Sequence, residues 1–287
     1  MSVLVSLIVM LGMLVIVPAG LRLIDAAGLA AIRRTWPLFA VPGAVALWLP
    51  RSATATVLAA VYALGTLVLA AQAPRRLART RSLAPAEIAV LTALVTPSVA
   101  GVALVAERSG QELFGFSLPI LALTVPHFHF AGFAAALVAG LVCRASAGPT
   151  GRFAALSVPL GTLLVLAGYF LDDWAELLGA LVLTAGMWAV ALLTWRDIRT
   201  GGRGGLTRNP LTRDPLTRDR LTRGLLAVSA AVLVVTMLLA LSWALGEATG
   251  LPHPTLTWMA ATHGLGNALG FALCSVLARQ RLKETAP

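Results

Sequence analysis

The first long apolar stretch, residues 2–20, reads SVLVSLIVMLGMLVIVPAG and contains no charged side chain. About 20 such residues form a helix long enough to cross the hydrocarbon core of a bilayer. No basic segment precedes the stretch and no small-residue cleavage motif follows it, so the pattern favours a spanning helix over a cleaved signal peptide. The stretch therefore predicts a chain that folds in a membrane.

Stretches of the same kind recur along the sequence, of which 58% is hydrophobic and only 12% charged. They are continuous apolar runs rather than short segments of alternating polarity, which favours helices. The predicted spans are residues 2–20, 36–50, 53–73, 86–106, 117–143, 153–171, 174–194, 224–245 and 256–277. The sequence thus predicts an all-α polytopic helical bundle of about nine spans, with residues 1–287 in one transmembrane domain.

The basic residues indicate the orientation of this bundle, because lysine and arginine are retained in cytoplasmic loops. One set of loops carries most of them, including eight arginines from Arg196 to Arg223, whereas the opposite set carries only Arg51 and Arg108. This asymmetry predicts an N-terminus outside and a C-terminus in the cytoplasm. It also explains the net charge of +10 without nucleic acid and makes the lipid bilayer the expected partner.

The longest cytoplasmic loop contains a five-residue repeat built on Leu-Thr-Arg, from Leu206 to Gly224. Its period is too short for a packed repeat unit, and its proline and glycine content disfavours helix. We therefore expect residues 200–223 to form a flexible basic loop. A second interpretation is that its arginines bind anionic lipid.

Polar side chains are rare inside the predicted spans, and each is a functional hypothesis because it is costly to place in lipid. They concentrate in two motifs, TVPHFHFAGF at residues 124–133 of the fifth span and THGLGNALGF at residues 262–271 of the ninth. The candidate binding residues are Thr124, His127, His129, Thr262, His263 and Asn267. Both motifs lie at a similar depth by helix rise, so we expect the two spans to pack together around one site.

The spacing within each motif adds detail to this site. His263 and Asn267 are four residues apart and share a helix face. Pro126 removes a backbone donor and can kink the helix that carries the neighbouring histidines. Gly266 and Gly270 form a Gly-x-x-x-Gly pattern, which permits another helix to approach closely.

Two further interpretations stay open. The histidines can serve only as hydrogen-bond partners between helices. The acidic pair Asp172 and Asp173, at the outer end between the sixth and seventh spans, can guard an entrance or form a solvated turn. No acidic residue lies at the depth of the histidines, which disfavours a carboxylate-driven ion site.

The two histidine motifs resemble those of the YndJ-like family of bacterial membrane proteins. His127, His129, His263 and Asn267 carry the match. The resemblance covers most of the chain and implies a multi-pass protein of the bacterial cell membrane. Members of this family are usually described as transporters without an established substrate, so the resemblance implies transport of an unidentified solute. The five-residue repeat departs from the family pattern.

His-Phe-His also resembles the paired haem ligands of haem-copper oxidase subunit I. Such a site needs further histidines, and inside the membrane this chain offers only His263 in addition. We therefore expect no cofactor. The alternative is a haem or transition metal held by His127 or His129 together with His263.

The sequence contains no nucleotide-binding loop and no Ser/His/Asp-like set, which disfavours an enzyme. The predicted function is transport or binding of a small solute or ion through an intramembrane His/Asn site. A membrane-embedded haem or metal oxidoreductase and a purely structural membrane component are the alternatives.

Overall fold

The computed structural model describes residues 2–24, 28–146, 148–200 and 220–284. Within these ranges the chain is helical, apart from turns, short connections and one isolated bridge between Leu113 and Phe116. The predicted all-α class is confirmed. Nearly all of the expected flexible loop, residues 201–219, lies outside the described residues. At its two ends, Thr200 and Arg220–Arg223 belong to helices.

Four segments of the described helices are π-helical, a wider form in which each carbonyl accepts from five residues ahead. Up to residue 135 the elements are α1 (Val3–Leu11), π1 (Gly12–Ile16), α2 (Val17–Leu21), α3 (Leu29–Ala46), α4 (Ala53–Ala70), α5 (Gln72–Thr80), α6 (Pro85–Val95), α7 (Pro97–Ser109), α8 (Leu118–His127) and π2 (Phe128–Ala135). From residue 136 onward they are α9 (Ala136–Ala145), α10 (Pro149–Leu171), α11 (Asp173–Thr200), α12 (Arg220–Thr249), α13 (Leu256–Met259), π3 (Ala260–Gly264), π4 (Gly266–Leu273) and α14 (Cys274–Glu284).

Eight helical stretches of the described residues are long and apolar enough to cross a membrane. They are Val3–Leu21, Ala53–Thr80, Pro85–Ser109, Leu118–Ala145, Pro149–Leu171, Asp173–Thr200, Arg220–Thr249 and Leu256–Glu284. Each contains one of the predicted spans almost entirely. The remaining predicted span, residues 36–50, overlaps α3, whose arginines Arg33 and Arg34 and two internal prolines lower its hydropathy.

The chain divides into two compact units. Unit 1 comprises residues 1–83 and 90–134, and unit 2 comprises residues 84–89 and 135–287. The prediction that all 287 residues form a single transmembrane domain stays a prediction.

In unit 1, α3 lies antiparallel to α4 and contacts π1 on another side. Along α3, Phe39 packs against Gly65 of α4, and Gly43 one turn later packs against Tyr62. On the other side, the indole Nε1 of Trp36 donates to the carbonyl of Met13 at 2.8 Å. The 18 residues of α3 rise about 27 Å, comparable to the hydrocarbon thickness of a bilayer.

In unit 2, α10 and α11 form a hairpin joined by Asp172 alone. Glycines let the two backbones touch along its length: Gly161 faces the backbone of Leu183, and Gly179 faces that of Val165. This arrangement follows the small-residue rule for helix pairs in lipid, where close approach maximises van der Waals contact. The last span of unit 2 packs against α12, where the hydroxyls of Ser229 and Ser275 lie 2.6 Å apart.

Candidate functional site

The first histidine centre lies in unit 1, where α8 gives way to π2 just after Pro126. A π-helical segment widens the turn and often marks a functional position. Here it places His129, which is completely buried, with its Nε2 atom 2.5 Å from the hydroxyl of Tyr62. The ring of Trp36 also packs edge-on against Tyr62. The three side chains thus form a buried aromatic cluster with edge-on contacts.

Gly12 packs directly against the His129 ring of this aromatic cluster. A Cβ atom built on Gly12 would lie 2.6 Å from Nδ1 of His129, so glycine is required where the imidazole ring meets π1. Nδ1 has no hydrogen-bond partner among the described residues. The His129 ring is therefore held by one hydrogen bond and by packing, in a space that leaves no room for a solute beside Gly12.

Thr124 and His127 lie on the same stretch as His129. Neither takes part in the Tyr62–His129 hydrogen bond or in the ring contacts of Trp36, Tyr62 and His129. The hydroxyl of Thr124 donates to the carbonyl of Ile120 in its own helix at 2.9 Å. The ring of His127 is half-buried and packs edge-on against the neighbouring Phe128.

The second histidine centre lies in unit 2, where α12 meets the π-helical part of the last span. Nδ1 of His263 lies 2.8 Å from the carbonyl of Thr236, and Nε2 lies 3.1 Å from Nδ2 of Asn267. The hydroxyl of Thr236 lies 2.8 Å from Oδ1 of Asn267. These contacts close a ring of three hydrogen bonds, which we name the His263 ring after its central residue.

The acceptor at Nδ1 fixes the protonation pattern of the neutral imidazole. A backbone carbonyl only accepts, so Nδ1 of His263 carries the hydrogen and donates it to Thr236. Nε2 is then the acceptor, and the amide of Asn267 donates to it. His263 and Asn267 are half-buried, in contrast to the enclosed His129.

Glycines allow α12 to approach this ring closely. A Cβ atom on Gly266 would lie 2.8 Å from the side chain of Thr236, and one on Gly270 would lie 2.7 Å from Val232. The expectation that the Gly-x-x-x-Gly pattern accommodates a neighbouring helix is confirmed, and within unit 2 that neighbour is α12. The close contact brings Thr236 within reach of His263.

The expected common site does not appear within either unit. His127, His129 and Thr124 belong to unit 1, whereas His263 and Asn267 belong to unit 2, so their association stays a prediction. Thr262 lies beside His263 in sequence, but its hydroxyl donates to the carbonyl of Trp258 in its own helix.

The acidic pair at the turn between α10 and α11 is exposed. Asp172 accepts a hydrogen bond from the backbone amide of Ala175 at 2.8 Å and so caps the first turn of α11. Asp173 begins that helix, where a negative charge is favourable. Helix capping accounts for both residues, and an entrance role stays a prediction.

A metal centre would need several ligands in one place. Over the residues that the structure describes, no group of three or more histidine, cysteine, aspartate or glutamate side chains could hold a metal ion. The donors at His263 are engaged with Thr236 and Asn267 rather than converging on an open point. The haem or metal alternative therefore gains no support from this geometry.

Sequence reasoning missed two partners, Tyr62 and Thr236. Both are polar residues within apolar stretches, which is the signal that selected the histidines.

The helices described above define the protein as a multi-pass α-helical membrane protein. The family model of the YndJ-like proteins matches residues 7–271, so the chain belongs to the YndJ-like family. No curated protein and no solved structure matches the chain. The match covers both histidine centres, and the resemblance drawn from their motifs is confirmed.

Proposed function

We propose that this protein transports a small solute or ion across a bacterial cell membrane, with the His263 ring as the binding group and the proton as the ion it binds. The observation that carries the proposal is the closed set of hydrogen bonds among His263, Asn267 and Thr236. Polar side chains in lipid are rare and usually face a pathway or one another. In this group the polar side chains face one another, and His263 and Asn267 are half-buried rather than completely enclosed.

The ring can accept a proton without losing a hydrogen bond. Once Nε2 of His263 is protonated it needs an acceptor, and a half-turn of the Asn267 amide presents Oδ1 in place of Nδ2. The amide nitrogen then donates to the hydroxyl oxygen of Thr236. That hydroxyl in turn donates to the carbonyl of Val232, which lies 2.9 Å away. Both protonation states of His263 are therefore fully satisfied.

His129 lacks this property. It is completely enclosed, and the side of the ring that carries the unpaired Nδ1 atom is closed off by Gly12. We therefore assign His129 and Tyr62 to packing within unit 1 and the exchangeable site to the His263 ring.

The test is proton movement by the purified full-length protein in phosphatidylcholine liposomes that enclose a pH-sensitive dye, with the membrane potential clamped. We expect an external acid step to acidify the lumen faster than in protein-free liposomes. His263→Gln should reduce the rate to that of protein-free liposomes. His253→Gln is the matched control, because His253 lies outside the ring and pairs instead with Glu247.

Two results would contradict the proposal. One is a wild-type rate equal to that of protein-free liposomes. The other is an undiminished rate in His263→Gln protein that elutes as a folded species.

A further inference from the structure

Unit 1 contains a cavity of about 380 Å³ that the proposed function does not use. It lies where the start of α1 meets the loop between α3 and α4, and it is lined by Val3, Ser6, Leu47, Trp48, Leu49, Pro50, Arg51 and Arg108. Its volume falls in the range of roughly 300–1,000 Å³ that is typical of small-molecule sites. Two of its lining side chains are the arginines that the charge pattern places on the outer side.

Both arginines are held by one buried carboxylate. Oε1 of Glu107 accepts from Nη2 of Arg51 at 2.9 Å, and Oε2 accepts from Nε of Arg108. Glu107 is completely buried, and the side chain of Arg108 is only 4% exposed. Arg108 also donates from Nη1 to the carbonyl of Leu49 at 3.2 Å, which fixes its position at the end of α3.

The charges of this cluster do not balance. Arginine stays protonated in proteins, so Arg51 and Arg108 contribute two positive charges against the single negative charge of Glu107. Glu107 and Arg108 are buried and offset each other, so the surplus positive charge belongs to Arg51, whose side chain is 45% exposed. Because Arg51 also lines the cavity, an anion there can reach this charge and offset it.

Some N–H donors of the two guanidinium groups have no acceptor among the described residues. Nη1 of Arg51 and Nη2 of Arg108 donate to none of the described residues. The first turn of α1 adds to the positive potential, because Val3 and Ser6 bring the N-terminal end of that helix to the cavity wall. Guanidinium groups bind carboxylate and phosphate oxygens through paired N–H donors.

We propose that this cavity binds a singly charged oxyanion, with the phosphate group as its ligand chemistry, through Arg51 and Arg108. The site is independent of the His263 ring. Glu107 orients the two guanidinium groups and offsets half of their charge, so that one anion completes neutrality. The phosphate can belong to a lipid headgroup, since the half-exposed Trp48 beside the cavity is a side chain that favours the membrane interface, or it can be free in solution.

The experiment measures thermal unfolding of the full-length protein in a neutral detergent. One arm adds inorganic phosphate at constant ionic strength, with chloride as the reference. The other adds phosphatidylglycerol, with phosphatidylcholine as the reference. We expect a saturable rise in melting temperature in at least one arm: a rise with inorganic phosphate identifies a free anion, and a rise with phosphatidylglycerol alone identifies a lipid headgroup.

Three variants test whether the rise comes from this cavity. Arg51→Gln should abolish most of it. Glu107→Gln should enlarge it, because two positive charges would then face the anion. Arg75→Gln removes an exposed arginine of α5 and should leave it unchanged.

The proposal is overturned if neither arm raises the melting temperature of the wild type, or if Arg51→Gln keeps the full rise seen in Arg75→Gln. Should Glu107→Gln fail to fold, the comparison of Arg51→Gln with Arg75→Gln still decides.

Discussion

The hydroxyl of Tyr62 determines how His129 can be buried. The two side chains are completely buried, and their polar atoms lie 2.5 Å apart. Removing one partner would leave the other as a buried polar atom without a hydrogen bond, which costs about 1–3 kcal/mol in proteins generally. Hydrogen bonds between helices in membranes average only about 0.6 kcal/mol, because the unfolded state in lipid finds other partners.

A double-mutant cycle measures this interaction. We expect Tyr62→Phe to lower the free energy of unfolding by about 1 kcal/mol, which is above the membrane average and at the lower end of the range for buried polar atoms. The same change in a His129→Leu background should cost much less, since the hydroxyl would have no imidazole to bind. Equilibrium unfolding in mixed micelles gives all four values. An equal cost of Tyr62→Phe in both backgrounds would show that the contact is not a stabilising hydrogen bond.

Residue spacing predicted part of the candidate site. The four-residue separation of His263 and Asn267 placed them on one face, and the 3.1 Å contact confirms it. The partners Tyr62 and Thr236 lie 67 and 27 residues from the histidines they contact, and no local pattern links them. Which polar groups meet depends on how each helix is rotated about its axis, and that rotation is set by packing against neighbours.

At the scale of helices, the pair α10 and α11 is held by glycines rather than by polar bonds. A Cβ atom at Gly179 would collide with the backbone of Val165, and backbone cannot move aside as a flexible side chain can. Overpacking of this kind typically costs about 1–3 kcal/mol.

Substitution of one glycine tests this packing. We expect Gly179→Ala to destabilise the protein by about 2 kcal/mol. Gly224→Ala, also within a helix but with open space around its Cα, should be neutral or stabilising by up to about 1 kcal/mol. Thermal unfolding of the two variants beside the wild type gives the comparison. Similar melting temperatures for both variants would mean that α10 and α11 can move apart at Gly179 without loss of stability.

Hydropathy located eight of the spans because each is a long run of apolar residues. It located α3 poorly. The predicted start at Trp36 excluded Arg33 and Arg34, yet the helix begins at Leu29 and carries both arginines in its first two turns. Hydropathy scores a segment by itself, whereas α3 gains stability from contacts with π1, α2 and α4 that a one-dimensional profile does not record.

At the scale of the whole molecule, the number of crossings determines whether the two termini lie on the same side. Eight crossings put them on one side, and nine put them on opposite sides. The antiparallel packing of α3 along the length of α4 favours nine, since α4 belongs to a stretch that qualifies as a span.

Reporter fusions decide between these counts. We expect fusions after Arg22, Arg76 and Lys283 to report a cytoplasmic location and fusions after Arg51 and Glu247 to report an external one. The pair that tests α3 is Arg22 and Arg51, which flank it. If both report the same side, α3 does not cross, and either the predicted external N-terminus or the predicted cytoplasmic C-terminus is wrong.

The short connection between α10 and α11 has a consequence for synthesis of the chain. Asp172 alone separates the two helices. Because this connection is so short, α10 cannot reach its final position in the bilayer while α11 is still inside the ribosome. We expect the translocation machinery to release them together as a preassembled hairpin. The carboxylates of Asp172 and Asp173 at its tip would then cross the bilayer during insertion. Their transfer would add an energetic cost at that step.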